Sequence, residues 1–136
     1  MNSIELRREL HRHPELSFEE HRTQQTIMAA LEAEGIACRK IADTGVLAKI
    51  EGVRGGHRRA VVLRADIDAL PIVERNEVDY RSENEGIMHA CGHDMHAAML
   101  FGVLTELNHE RDFEGTLFGI FQPGEELNPG GASMIL

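Results

Sequence analysis

Two short apolar runs, Ala60-Val61-Val62-Leu63 and residues 116–121, each lead straight into carboxylates. The first runs into Arg64-Ala65-Asp66-Ile67-Asp68-Ala69-Leu70-Pro71, the second into Gln122-Pro123-Gly124-Glu125-Glu126. A continuous apolar run such as 60–63 is typical of a strand covered on both faces. Polar clusters gathered at the carboxyl ends of strands are what an open α/β sheet presents to a ligand. The expected fold class is therefore α/β, with its chemistry at one edge of the sheet.

The rest of the chain supplies the other elements. Residues 2–12, with Ile4, Leu6 and Leu10 among charges, predict a short amphipathic helix ended by Pro14. Ser17-Phe18-Glu19-Glu20 has the pattern of a capping box. A second helix is expected from Ser17 as N-cap to Glu34, with Ile27, Met28 and Leu31 facing inward and Gly35 as its stop. From Ile36 the pattern turns to β-type runs, at 36–41 and 45–51. The turn signals in Gly52-Val53-Arg54-Gly55-Gly56-His57 predict a hairpin between the second run and the strand at 60. Residues 74–88 are polar and irregular, and predict a loop. Asp94 to Asn108 predicts a helix with a buried stripe of Met95, Ala98, Met99, Gly102, Val103 and Leu107. Gly130-Gly131 precedes an apolar segment, 132–136, that reads as the first turn of a further helix. There is no internal repeat and no low-complexity tract.

Composition narrows the function classes. At 136 residues the chain has the length of one domain, and 42% hydrophobic residues suffice for a core. Aromatics are only 4%, so that core must rest on Leu, Ile, Val, Ala and Met. A net charge of −9 disfavours a nucleic acid or an anionic membrane as partner. Two cysteines, Cys38 and Cys91, do not make a disulfide scaffold. The amino terminus has no apolar stretch of signal-peptide length, and no segment approaches the roughly 18 apolar residues of a membrane span. The expected compartment is the reducing cytoplasm.

The chemistry sits in Met88-His89-Ala90-Cys91-Gly92-His93-Asp94-Met95-His96 and in Glu125-Glu126. Thiolate, imidazole and carboxylate are the ligand types of Zn²⁺ and similar divalent ions. Cys91 and His93, two apart at a loop-to-helix junction, are expected on one side of an extended segment. The plainer reading is a core cysteine beside a helix-capping residue. Glu125 and Glu126 are expected to point to opposite sides, one to a metal and the other to water and substrate as a proton carrier; a solvated acidic turn is the plainer alternative. Asp66 and Asp68 can face the same way at a strand end, where one can orient a metal ligand through a hydrogen bond. A turn cap ahead of Pro71 is the alternative for either. For His89 and His96 a structural or substrate-side role stands beside ligation. His11, His13, His21, His57 and His109 are expected at the surface, although His11-Arg12-His13-Pro14-Glu15 is an unusual cluster. Cys38 reads as packing or incidental.

These blocks, together with Leu10-His11-Arg12-His13-Pro14-Glu15-Leu16-Ser17 and Gly130-Gly131-Ala132, resemble the bacterial amidohydrolase branch of the aminoacylase/carboxypeptidase metallopeptidases. That branch includes N-acyl-amino-acid amidohydrolases and hippurate hydrolases. The resemblance covers nearly the whole chain, in order. It implies a three-layer phosphorylase/hydrolase-like (zinc exopeptidase) catalytic domain with a mixed sheet, of which residues 1–136 form the amino-terminal part. It implies two divalent metal ions (Zn, Mn, Ni or Co), with Cys91, His93 and Glu126 as ligands and Glu125 as general base. Asp68, or failing that Asp66, matches the acid that supports a metal-bound group. The implied substrate is a small N-acyl amino acid, cleaved at its amide, and the implied assembly is a homo-oligomer. There are departures: the family's lid domain and two further His ligands are absent here, Gly124 stands where Ala is usual, and Leu127-Asn128-Pro129 replaces a Gly-rich segment. The chain is accordingly expected to be an amino-terminal fragment, with little activity alone and a tendency to self-associate or pair with a complementary piece. A non-catalytic interaction or oligomerisation module, and a dipeptidase or carboxypeptidase specificity, are the alternative functions.

Overall fold

The computed structural model describes residues 1–56 and 59–135. His57 and Leu136, expected in a turn and in a final helix, lie outside the described residues. Two helices open the chain, α1 (Ser3–Arg12) and α2 (His21–Ala33). Strands β1 (Ala37–Ile41), β2 (Gly45–Glu51) and β3 (Ala60–Asp66) follow, then α3 (His93–Glu110), β4 (Thr116–Gln122) and a short α4 (Ala132–Ile135). The sheet is mixed, in the order β1-β2-β4-β3. The β1–β2 and β2–β4 pairs are antiparallel, whereas β3 and β4 run parallel, with Ala65 opposite Phe121 and Asp66 opposite Gln122. The chain is thus α/β. Among the described residues no helix is long and apolar enough to cross a membrane.

The core lies between one face of the sheet and helices α1 to α3. Val46, Ala48 and Ile50 of β2, Ala65 of β3, and Leu117 and Phe121 of β4 meet Leu6, Leu10, Ile27, Leu31, Ala97, Phe101 and Leu104. The alternation along β2 and β4 is what one covered face requires.

Four expectations are corrected. First, β2 makes its hairpin with β1, and β4 inserts between β2 and β3. A helix joins β3 to β4, and a helical crossover returns the chain parallel to the strand it left. Second, β3 is not covered on both faces: Val61 and Val62 are exposed on an edge strand. Third, α2 begins at His21, and its N-cap Glu20 makes no side-chain capping bond. The capping box belongs to α1, where the Asn2 side chain accepts the Glu5 amide at 3.0 Å and Glu5 accepts the Asn2 amide at 2.8 Å. Fourth, α3 is rotated from the predicted stripe. It buries Ala97, Leu100, Phe101 and Leu104 together with Ala98 of the expected stripe, and Leu107 packs against the core, while Met95, Met99 and Val103 are 51%, 59% and 44% exposed. Apolar residues surround this helix on nearly every side, so their period does not set its phase. Polar anchors do: Asp94 is buried against Arg7 and His11, and Asn108 donates to Glu34 O at 2.9 Å.

We expect Leu104→Ala to cost about 2–5 kcal/mol and Met99→Ala about 0.5 kcal/mol or less, read from chemical unfolding midpoints. The reverse order would restore the phase predicted from the sequence.

Candidate metal centre

Three segments converge at the carboxyl end of β3 and β4. Asp68 lies just past β3, Cys91 and His93 at the entry to α3, and Glu125 and Glu126 just past β4. The chain must reverse sharply at two points to bring them together. Gly92 precedes α3 at φ +83, and Gly124 turns the chain after β4 at φ +60. Both lie in the left-handed region that glycine enters without a Cβ penalty.

One ligand atom from each of Cys91, His93 and Glu126 lies within 4.8 Å of the other two. His93 is buried, Glu126 half-buried and Cys91 exposed. The His93 ring is oriented from behind. Its Nδ1 donates to Asp68 O at 2.9 Å and to Asp68 Oδ1 at 3.1 Å. Both partners are acceptors, so Nδ1 carries the hydrogen and Nε2 faces the carboxylates. Nε2 is 3.8 Å from Glu125 Oε2 and 3.8 Å from Glu126 Oε1. The two glutamates therefore do not diverge to opposite sides as expected, because residues 125–126 form a turn rather than extended chain.

Electrostatics follow from this crowding of acids. Burial alone would raise the Asp68 carboxyl, but hydrogen bonds from His93, the Glu126 amide and Ser17 outweigh it and hold it at about 2. The Asp68 hydrogen bond, against the opposing effect of burial, raises His93 to about 9. The hydrogen bond with Glu126, then burial and the nearby carboxylates, push the Cys91 thiol up. Glu126 Oε1 is buried and has no hydrogen-bond partner among the described residues. An acceptor oxygen without a donor, an imidazole nitrogen turned toward acids and a thiol beside them make a donor set that fits a divalent cation. A cation seated there displaces protons from both Cys91 and His93, so its affinity rises with pH.

The remaining candidates divide. Asp66 is engaged by Arg64 and by His96, whose Nδ1 lies 3.3 Å from Asp66 Oδ2. Asp68, not Asp66, holds His93. His89 is buried, with neither ring nitrogen hydrogen-bonded among the described residues, and burial lowers it to about 4. It is not in the cluster of three. His11, expected at the surface, is buried between Asp94 Oδ2 and Glu74 Oε1, 2.9 Å from each. No periodicity signals that burial; only the unusual density of His and charge at 11–15 hints at it. Cys38 packs against the core.

Residues 62–136 match the model of peptidase family M20/M25/M40. The chain belongs to this family. It is 46% identical over 131 residues to an N-acyl-L-amino acid amidohydrolase of Geobacillus stearothermophilus, covering 95% of this chain and 35% of that protein. It is also 46% identical over 136 residues to an N-acetyldiaminopimelate deacetylase of Anoxybacillus flavithermus, covering 98% and 35%. The crystal structure of the Bacillus subtilis YXEP protein, described as a dinuclear metal-binding peptidase of the M20 family, superposes with a TM-score of 0.91 at 43% identity. That match covers 98% of this chain and 38% of the other. The chain thus spans about a third of the length of the curated relatives it matches.

The two shifted groups set a pH window for the metal-free chain. The raised His93 stabilises the fold fully below its ordinary 6.5, and that contribution is lost as pH rises toward about 9. The depressed Asp68 contributes above its ordinary 3.8, and that is lost as pH falls toward about 2. Urea midpoints should decline from pH 6.5 to 9, and Asp68→Asn should flatten the decline. An equally steep decline in that variant would assign the titration to another group.

Proposed function

We propose that residues 1–136 are the amino-terminal part of the catalytic domain of a metal-dependent hydrolase that cleaves the amide bond of N-acyl amino acids. The observation that carries this reading is the convergence of Cys91, His93 and Glu126 within 4.8 Å, with Glu125 on the same imidazole. The names of the relatives support the substrate class.

In this reading Cys91, His93 and Glu126 hold a divalent ion of a two-ion centre (Zn, Mn, Ni or Co). Such ions, when bound, polarise the acyl carbonyl and make water acidic enough to attack. Asp68 keeps the His93 hydrogen on Nδ1 and leaves Nε2 as the donor atom. Glu125, 41% exposed, faces the open side, where substrate and water arrive. It takes a proton from the attacking water and delivers it to the departing nitrogen. Water oxygen joins the acyl carbon, the C–N bond breaks, and the products are a carboxylic acid and a free amino acid.

Two experiments test this. Cobalt(II) titration of the chain should show a thiolate-to-metal absorption band that Cys91→Ser removes and Glu126→Ala weakens about 10-fold or more. An interaction module would need neither residue. Second, a chimaera carrying residues 1–136 in place of the matching segment of the Geobacillus amidohydrolase should hydrolyse an N-acetyl amino acid. There Glu125→Gln should lower kcat by about 10²–10⁴ with metal binding retained. Unchanged kcat would remove Glu125 from proton transfer.

A further inference from the structure

Residues 17–20, ahead of α2, grip the loop that carries Glu125 and Glu126. Ser17 Oγ donates to Asp68 Oδ2 at 2.7 Å, the same oxygen that accepts the Glu126 amide at 2.9 Å. Phe18 is held at φ +64, with its ring so close to Gly124 that a Cβ there would stand 2.4 Å from it. Glu20 is fully buried. Its Oε1 accepts the Gly124 amide at 2.8 Å, and its Oε2 accepts the Thr44 hydroxyl at 2.5 Å.

A carboxyl group is costly to bury unless it is hydrogen-bonded, and both Glu20 oxygens are. Ser17 and Glu20 have the residue types and spacing of a capping box, yet the Glu20 side chain makes no capping bond in α2. One of its oxygens is directed instead to a turn 104 residues later, and the other to Thr44. Local propensity set aside in this way marks a segment whose side chains serve a distant site. The turn at Gly124 decides where the next two side chains point, so control of its amide is control of Glu125 and Glu126.

We propose that Ser17 and Glu20 are positioning residues of the metal centre: acting through Asp68 and the Gly124 amide, they fix the 123–126 loop and hold the Glu126 carboxylate where it meets Cys91 and His93. This rests on the reading of Cys91, His93 and Glu126 as a metal set, and it adds two residues outside that set.

The test uses cobalt(II) on the full 136-residue chain, with amide hydrogen exchange of residues 122–127 measured separately without metal. Ser17→Ala and Glu20→Ala should each weaken cobalt binding about 10-fold or more and speed exchange in that loop. Glu20→Gln, which keeps an oxygen for the Gly124 amide, should restore most of both. Leu31→Ala, which opens a cavity in the core rather than removing a hydrogen bond to the loop, should lower the unfolding midpoint yet leave both readouts near wild type. The proposal is overturned if Ser17→Ala and Glu20→Ala leave loop exchange unchanged, or if Leu31→Ala matches them. If the wild-type chain binds no cobalt through a thiolate, the metal reading fails instead, and loop exchange alone decides the positioning role. Where Glu20→Ala does not fold, Ser17→Ala decides by the same two readouts.

Discussion

The Asp68 carboxylate joins three parts of the chain that are far apart in sequence. It is 1% exposed and accepts hydrogen bonds from His93 Nδ1, the Ser17 hydroxyl and the Glu126 amide. Removing one donor would leave a buried anion short of a partner, which costs more than the bond itself is worth on balance. Each donor also carries information. The bond to His93 selects the tautomer, the bond to Glu126 fixes the backbone of a candidate ligand, and the bond to Ser17 ties both to the amino-terminal segment. The geometry of the site therefore depends on its most buried acid rather than on the more exposed Glu125 and Glu126.

Behind Asp68 a second polar cluster sets the position of α3. Asp94, next to His93, pairs with Arg7 Nε at 2.7 Å and with His11 Nδ1 at 2.9 Å, which binds the first turn of α3 to α1. Through Glu74 the same imidazole reaches the 74–88 loop, where Glu74 also accepts the Ser82 amide at 2.7 Å. A loop of that length needs such internal anchors to keep one conformation. With few aromatics in the chain, buried polar bonds do much of the specifying that large rings do elsewhere.

The elements were legible wherever side-chain period and glycine punctuation agreed, as in α1, β2, the 74–88 loop and β4. They were not legible where two physical signals competed. Ser17 and Glu20 satisfy a local capping pattern, and only the fold reveals that Asp68 and Gly124 compete for them. The phase of α3 could not be read because Met95, Met99 and Val103 are as apolar as Phe101 and Leu104. Strand pairing was misread because a glycine-rich turn after β2 suggests a hairpin, whereas the order of the sheet depends on where α3 returns the chain. The close approach of Cys91, His93 and Glu126 was expected from residue types and from resemblance. That both glutamates come to one imidazole nitrogen follows from the turn at Gly124, which spacing alone does not encode.

The burial gradient across the centre bears on what kind of metal site these residues can form. A structural zinc site closes its coordination with four protein ligands, commonly cysteine and histidine, and excludes water. Here three candidate ligands come from this chain, one of them exposed Cys91, and a free carboxylate stands 3.8 Å from the shared imidazole nitrogen on the open side. The hydrogen-bonded Asp68 and His93 lie inward, and Glu125 lies outward. Such an arrangement leaves one side of the cluster open to solvent, where a structural site would be closed over. Rigidity in the buried half, supplied by Asp68, Ser17 and Glu20, keeps the exposed half in register without covering it.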